Sequence, residues 1–287
     1  MEFDRLAVIG IGLIGGSFAL CAKERGLVHR VIGVARSEDT LKAALERGAA
    51  DEVTNDPAQA AASADLVYIA APVGATGPIM QTIAPALRPD TLVTDAGSTK
   101  TSVMALAREH LRGRGVFIGG HPMAGSEESG PRFASGDLFH NKTYILTTAP
   151  DTPSAHLARL RHLISRTGAN VIVCDADQHD RIVARTSHLP HLAASAICNL
   201  LADLAPRTGD MSLFSGNGLR DTTRVAAGPA DVWRDILLDN RANVLPAVEM
   251  LVRTLQQFAA TMQDEDADEL TRLLSRGALF RRGLDKE

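Results

Sequence analysis

A run of glycines near the start of the chain, Gly10-Ile11-Gly12-Leu13-Ile14-Gly15-Gly16, limits its possible folds more than any other feature. The run follows an apolar, β-rich stretch, Leu6–Ile9, and opens a helical stretch through Ser17 to Arg25. In that setting Gly10 allows a tight turn, Gly12 lets a ligand's phosphates approach the backbone, and Gly15 lets helix and strand pack closely. The helix start at Leu13 and Ile14 then offers free backbone N–H groups and the positive end of a helix dipole to an anion. A G-x-G-x-x-G turn alone is common. Placed between a first strand and a helix, with a second strand predicted at Val31–Ala35, it reads as the pyrophosphate loop of a nicotinamide dinucleotide on a Rossmann-type fold.

The rest of the first half supports that frame. Further β-rich runs are predicted at Asp65–Ala70, Leu92–Asp95, Val116–Ile118, Tyr144–Leu146 and Val171–Val173, alternating with amphipathic helical stretches. Strands separated by helices imply parallel βαβ units. From about Ala176 onward the strand pattern vanishes. A long helix is predicted from Ala230 to about Asp264, with an apolar stripe of Leu237, Val244, Val248, Leu251, Leu255, Phe258 and Met262. Such a stripe is a packing seam, compatible with a helix-to-helix dimer contact. The expected fold class is therefore an α/β Rossmann-type domain over residues 1–174, followed by an all-helical substrate and dimerisation domain over residues 175–287.

Composition narrows the partners. A net charge of −4 argues against nucleic acid or an anionic membrane surface. The apolar stretch Leu6–Ala22 is interrupted by glycines and is too short to span a bilayer, and the N-terminus carries no basic leader with a cleavage site. Three dispersed cysteines, Cys21, Cys174 and Cys198, suggest no disulfide framework and a cytoplasmic location.

At the end of the second strand an Asp or Glu normally binds the ribose 2′-hydroxyl of NAD. Here the chain reads Val34-Ala35-Arg36-Ser37, with no acid. A carboxylate would repel a 2′-phosphate, whereas a guanidinium can pair with one, so Arg36 and Ser37 favour NADP over NAD. The plainer reading, a solvated Arg36 beside bound NAD, stays open.

Three later segments suggest chemistry. In Thr94-Asp95-Ala96-Gly97-Ser98-Thr99-Lys100, at a predicted strand end, Ser98 could hydrogen-bond a substrate or an imidazole, or cap the helix expected from Thr99. In Gly119-Gly120-His121-Pro122-Met123-Ala124-Gly125-Ser126-Glu127, a histidine between glycines and a proline suits a general acid/base better than a core position. Third, His188 and His191 of Ser187-His188-Leu189-Pro190-His191 would share a helix face, as would Arg220 and Arg224 of Gly218-Leu219-Arg220-Asp221-Thr222-Thr223-Arg224. Two arginines beside two histidines suit a substrate carrying carboxylates, although Asp221 could pair with one arginine instead. The two histidines have no third ligand at metal-site spacing, so no metal is expected.

Together these segments resemble the prephenate/arogenate (cyclohexadienyl) dehydrogenase family of tyrosine biosynthesis. The motifs Gly10–Ser17, Asp95–Lys100, Gly119–Glu127, Ser187–His191 and Gly218–Ala226 occur in the family's order, over about residues 5 to 265. The resemblance implies a Rossmann domain joined to a helical dimerisation domain, a homodimer, and an oxidative decarboxylation that transfers a hydride to NADP or NAD. On that reading His121 is the catalytic histidine that polarises or deprotonates the substrate's 4-hydroxyl, and Ser98 holds this histidine and the hydroxyl. Arg224 grips the ring carboxylate, and Arg220, His188, His191 and Glu127 line the pocket. Arg220 departs from the lysine of some members, and the missing acid at Ala35 resembles the NADP-using ones.

The resemblance leaves arogenate and prephenate both open, with a lean towards arogenate or dual use. Glu127 or Glu128 could pair with the ammonium that arogenate adds. It also implies no fused chorismate mutase and no regulatory domain after Glu287, so that tyrosine inhibition would act at the active site. A β-hydroxyacid or imine-type NAD(P) dehydrogenase is the competing enzyme reading, and a redox-sensing dinucleotide binder the non-enzymatic one. Neither needs His121, Ser98 and Arg224 together.

Overall fold

The computed structural model describes residues 2–125, 128–208 and 211–284. Its strands are β1 (Phe3–Ile9), β2 (Val28–Val34), β3 (Glu52–Thr54), β4 (Leu66–Ile69), β5 (Leu92–Asp95), β6 (Val116–Pro122), β7 (Thr143–Thr147) and β8 (Asn170–Cys174). Between them run α1 (Leu13–Glu24), α2 (Glu38–Glu46), α3 (Pro57–Ala62), α4 (Val73–Ile83), α5 (Thr101–His110) and α6 (Ser154–Arg166). The strands form a single sheet in the order β3-β2-β1-β4-β5-β6-β7-β8, whose first six follow the Rossmann arrangement. Every predicted strand is present. The sequence pattern missed β3, because three half-exposed residues bracketed by polar ones carry too little periodicity.

Alternate residues of β1 enter opposite cores, as expected of a strand buried on both faces. Leu6 and Val8 join Phe18, Tyr68, Phe139 and Tyr144 on one side, while Ala7 and Ile9 join Ile32, Val67, Ile69 and Met80 on the other. Parallel register aligns the strand ends. The Ala70 amide donates to the Ile9 carbonyl (2.8 Å), and that of Ala96 to the Ile69 carbonyl (2.9 Å). The C-terminal ends of β1, β4, β5 and β6 thus lie along one edge, which spans about 14 Å at the usual spacing of 4.7–4.9 Å per strand.

The sheet departs from the all-parallel expectation at one place. β7 runs antiparallel to β6, with His121 opposite Ile145. Among the described residues the link between them carries the short 3-10 turn Pro131–Phe133 and no crossover helix, so the chain returns from the same sheet edge. α6 then carries it back, and β8 is parallel to β7.

The helical half comprises α7 (Ala176–Val183), a π turn (Ala184–His188), α8 (Leu189–Thr208), α9 (Asn217–Thr223), a 3-10 turn (Arg224–Ala227), α10 (Ala230–Asp239), α11 (Arg241–Gln263) and α12 (Ala267–Gly283). The long helix predicted over residues 230–264 is therefore two. It breaks at Asn240, a buried residue that leaves helical geometry (φ −96°, ψ 19°) and spends its side chain on hydrogen bonds elsewhere.

Residue 174 does end the last strand, but the first compact unit continues to Asn240. Hydrogen bonds between the start of α5 and the helical stretch explain this. Both Asp180 carboxylate oxygens accept backbone N–H groups at the start of α5, and Ser102 donates to Asp239 (2.5 Å). Residues 241–287 form a second unit, in which α11 and α12 pack together and Gln257 reaches Glu269. Among the described residues no helix is long and apolar enough to cross a membrane.

Candidate active site

The loop after β1 is shaped by its glycines. Gly10 has φ +95°, and a Cβ there would lie 2.5 Å from the Ala70 carbonyl oxygen. A Cβ on Gly15 would lie 2.4 Å from the Gly10 oxygen, so α1 can approach β1 only with glycine there. Gly12 differs, because nothing lies within 4 Å of its would-be Cβ. It is also the N-cap of α1, and no side chain satisfies the first amides of that helix. Open space beside uncapped amides fits a pyrophosphate. Arg36, two residues beyond the end of β2, is exposed and forms no ion pair among the described residues, and Ser37 is the N-cap of α2.

At β5 and β6 the geometry is closed. The Asp95 carboxylate accepts from the amides of Gly97 (2.8 Å) and Gly120 (2.9 Å) and pairs with the Lys100 ammonium. Both side chains are almost entirely shut off from solvent. Burial pulls the Lys100 amine below its ordinary range, against the opposing pull of Asp95. The two glycines before His121 follow from this crowding. A Cβ on Gly119 would lie 2.2 Å from the Thr147 hydroxyl, and one on Gly120 would lie 2.4 Å from the Asp95 carbonyl.

His121 is 7% exposed, and its Nδ1 lies 2.8 Å from His179 Nε2. His179 Nδ1 in turn lies 2.8 Å from an Asp180 carboxylate oxygen. Burial, reinforced by His179 and Lys100, holds the His121 imidazole well below its usual pKa, so it stays neutral near pH 7. For Asp180, burial pushes upward, but hydrogen bonds from His179, Thr101 and Lys100 outweigh it and the pKa falls to about 2. Asn240 then ties this group to the next histidine. Its side-chain nitrogen donates to the Asp180 carbonyl (2.8 Å) and lies 3.2 Å from His188 Nδ1. Among the described residues His188 Nε2 is buried without a partner, and burial lowers that imidazole to about 4. His191 stacks on Trp233 at 3.5 Å between ring centres, and Gly228 leaves room for the indole beside both.

The structure therefore brings His121 and His188 into one network through His179, Asp180 and Asn240, and brings both His188 and His191 against Trp233, the first edge-on and the second stacked. Arg220 on α9 and Arg224, which opens the 3-10 turn before Gly228, are both exposed. Ser98 is half-buried at the end of β5, but the ring nitrogen Nδ1 of His121 is taken by His179. Nor does Ser98 cap a helix, because α5 starts at Thr101 and Asp180 accepts its first amides from across the fold. Glu127 lies outside the described residues.

The sequence reading passed over Asp95, Lys100, His179, Asp180, Asn240 and Trp233. One signal was available: His179-Asp180 is an adjacent titratable pair on the first helix after the last strand.

Residues 18–173 match the family model described as prephenate dehydrogenase, nucleotide-binding domain, and residues 175–276 match its dimerization domain. The prephenate dehydrogenase of Bacillus subtilis is 33% identical over 282 residues, covering 98% of this chain and 76% of the relative. A crystal structure of prephenate dehydrogenase from A. aeolicus, in complex with hydroxyphenyl propionate and NAD+, superposes with a TM-score of 0.92 at 30% identity and 98% coverage of both chains. Synechocystis arogenate dehydrogenase gives a TM-score of 0.82 at 31% identity, covering 98% of this chain and 99% of that one. The chain belongs to the prephenate dehydrogenase family of oxidoreductases.

Proposed function

We propose that the protein oxidatively decarboxylates prephenate, arogenate or both in tyrosine biosynthesis, with NADP preferred to NAD as hydride acceptor. The observation that carries this reading is a buried, neutral imidazole, His121, on the sheet edge shared with the open loop at Gly12. Gly10, Gly12, Leu13, Ile14 and Gly15 would hold the pyrophosphate, and Arg36 with Ser37 the 2′-phosphate. A nicotinamide dinucleotide, when bound, supplies the acceptor for the hydride.

The chain's own residues do the rest. His121 accepts the proton of the substrate's 4-hydroxyl, with Ser98 orienting that hydroxyl, so that the ring carbon can release its hydride. Loss of carbon dioxide from the opposite ring carbon restores aromaticity and drives the reaction. Arg224 holds the ring carboxylate, and Arg220, His188, His191 and Glu127 bound the pocket. General-base assistance of this kind contributes roughly 10²–10⁴-fold in rate.

The match to a dimerization domain supports a homodimer. So do the exposed large apolar side chains Leu245, Met250, Leu255 and Met262 of α11 and Leu274, Leu279 and Phe280 of α12. Three unpaired cysteines support a cytoplasmic setting.

The test is a two-by-two kinetic comparison of prephenate and arogenate with NADP and NAD, on the wild type and His121→Ala. Turnover with at least one substrate, lost by about 10²-fold or more in kcat in the variant, is expected. Near-wild-type turnover of His121→Ala would remove its role as base.

A further inference from the structure

We infer that His179 and Asp180 are positioning residues that set the proton pattern of His121, so that its Nε2 faces the substrate as a bare lone pair. This rests on His121 being the base. The inference follows from counting donors and acceptors along a chain of three buried groups, His121, His179 and Asp180.

The Asp180 carboxylate already accepts the Lys100 amide on one oxygen and the Thr101 amide on the other, both at 2.8 Å. Such amide donors favour its ionised form. An ionised carboxylate only accepts, so His179 Nδ1 carries a hydrogen and donates it. With a single ring hydrogen on His179, spent on Asp180, its Nε2 is an acceptor. His121 Nδ1, 2.8 Å away, must donate to it. The remaining nitrogen, His121 Nε2, carries no hydrogen and has no hydrogen-bond partner among the described residues.

Without the relay His121 could hold its proton on either nitrogen, and the form with Nε2–H could not accept the hydroxyl proton. During turnover the proton passes from the substrate oxygen to His121 Nε2, making an imidazolium. Its Nδ1–H bond to His179 and the Asp180 charge behind it stabilise that cation. No oxidation state changes in this step.

A parallel count applies to His188. Asn240 Nδ2 donates one hydrogen to the Asp180 carbonyl, which can only accept, and the other to His188 Nδ1. The His188 proton therefore sits on Nε2, so one network orients two rings in opposite senses, the first as acceptor and the second as donor.

The ionisable groups facing His121 are Lys100 from the turn before α5, His179 and Asp180 from α7, and His188 from the π turn, with Asp95 on β5 holding Lys100. Among these Asp180 favours the imidazolium, while Lys100, His179 and His188 oppose it.

The test compares His179→Ala, His179→Gln, Asp180→Asn and His121→Ala by kcat, KM and pH–rate profile, with thermal melts to verify folding. His179→Ala is expected to lose about 10²-fold in kcat with KM within a few-fold. His179→Gln should recover much of that loss, because its amide oxygen can accept the Nδ1 hydrogen. Asp180→Asn, if folded, should lower kcat and move the acidic limb of the profile to lower pH, since the charge that stabilises the imidazolium is gone. Long-range ¹⁵N NMR of histidine-labelled wild-type protein should show His121 with Nδ1 protonated.

If His121→Ala is inactive while folded His179→Ala turns over like wild type, the relay is wrong and the base assignment survives. If His121→Ala itself stays active, the base assignment fails first. An NMR spectrum with the proton on His121 Nε2 would overturn the inference whatever the kinetics.

Discussion

The Lys100 ammonium and the Asp95 carboxylate form an ion pair that water does not reach, in the turn that joins β5 to α5. Asp95 also ties down the Gly97 and Gly120 amides, so the pair anchors both the Ser98 turn and the strand carrying His121. Removing one member leaves a buried charge uncompensated, which costs about 3–5 kcal/mol. Lys100→Met should therefore lower the free energy of unfolding by that amount in denaturant titrations. Lys100→Met combined with Asp95→Asn should recover part of the loss, because no bare charge remains.

The glycine loop predicts a separation of stability from binding. Gly15→Ala forces a Cβ against backbone and should cost stability and cofactor binding together. Gly12→Ala meets open space, so its melting temperature without cofactor should stay within about 2 °C of wild type. Its affinity for NADP, measured by calorimetry, should still fall about tenfold or more, since the methyl group occupies the pyrophosphate's approach.

Arg36→Ala should raise KM for NADP about tenfold or more and leave KM for NAD nearly unchanged, as expected for loss of one charge-assisted hydrogen-bonding group worth about 1.5–3 kcal/mol. Equal effects on both cofactors would show that Arg36 does not read the 2′-phosphate.

Arg224→Ala should raise KM for the cyclohexadienyl substrate and lower kcat/KM by about 10–150-fold, with kcat less affected. Arg224→Lys should fall between, because an ammonium keeps the charge but loses the two-pronged geometry. Steady-state kinetics at saturating cofactor checks both.

His188 makes stability depend on pH. Burial lowers its folded-state pKa to about 4, while the unfolded chain titrates near 6.5, so the unfolded state binds the proton more readily. Its contribution is complete above pH 6.5 and is lost as pH falls towards 4, by about 3 kcal/mol. His121 and His191, lowered in the same direction by burial, steepen the decline. In melts from pH 7.5 to 4, His188→Gln should show a shallower fall than the wild type.

Much of this protein could be read along the chain. The Gly10 loop, the predicted strands and the His121 segment each depend on contacts between near neighbours in sequence, where period-2 burial and turn geometry leave a local imprint. The antiparallel turn of β7 was hidden, because strand direction depends on whether a crossover forms and not on the strand's own residues. The break at Asn240 was hidden too. Its apolar neighbours keep helical spacing straight through it, and only the demand of Asp180 and His188 for a donor explains a buried amide there.

The sequence by itself determined the dinucleotide-binding half and the identity of the imidazole at the sheet edge, since glycine-only turns and strand patterning are short-range requirements. Tertiary structure alone decided what that imidazole is bonded to. His179 and Asp180 lie more than fifty positions away from His121, and Asp180 meets the amides of α5 only after the sheet has closed. Hydrogen-bond partnership inside a core depends on distances of about 3 Å in space, and no spacing along the chain encodes them.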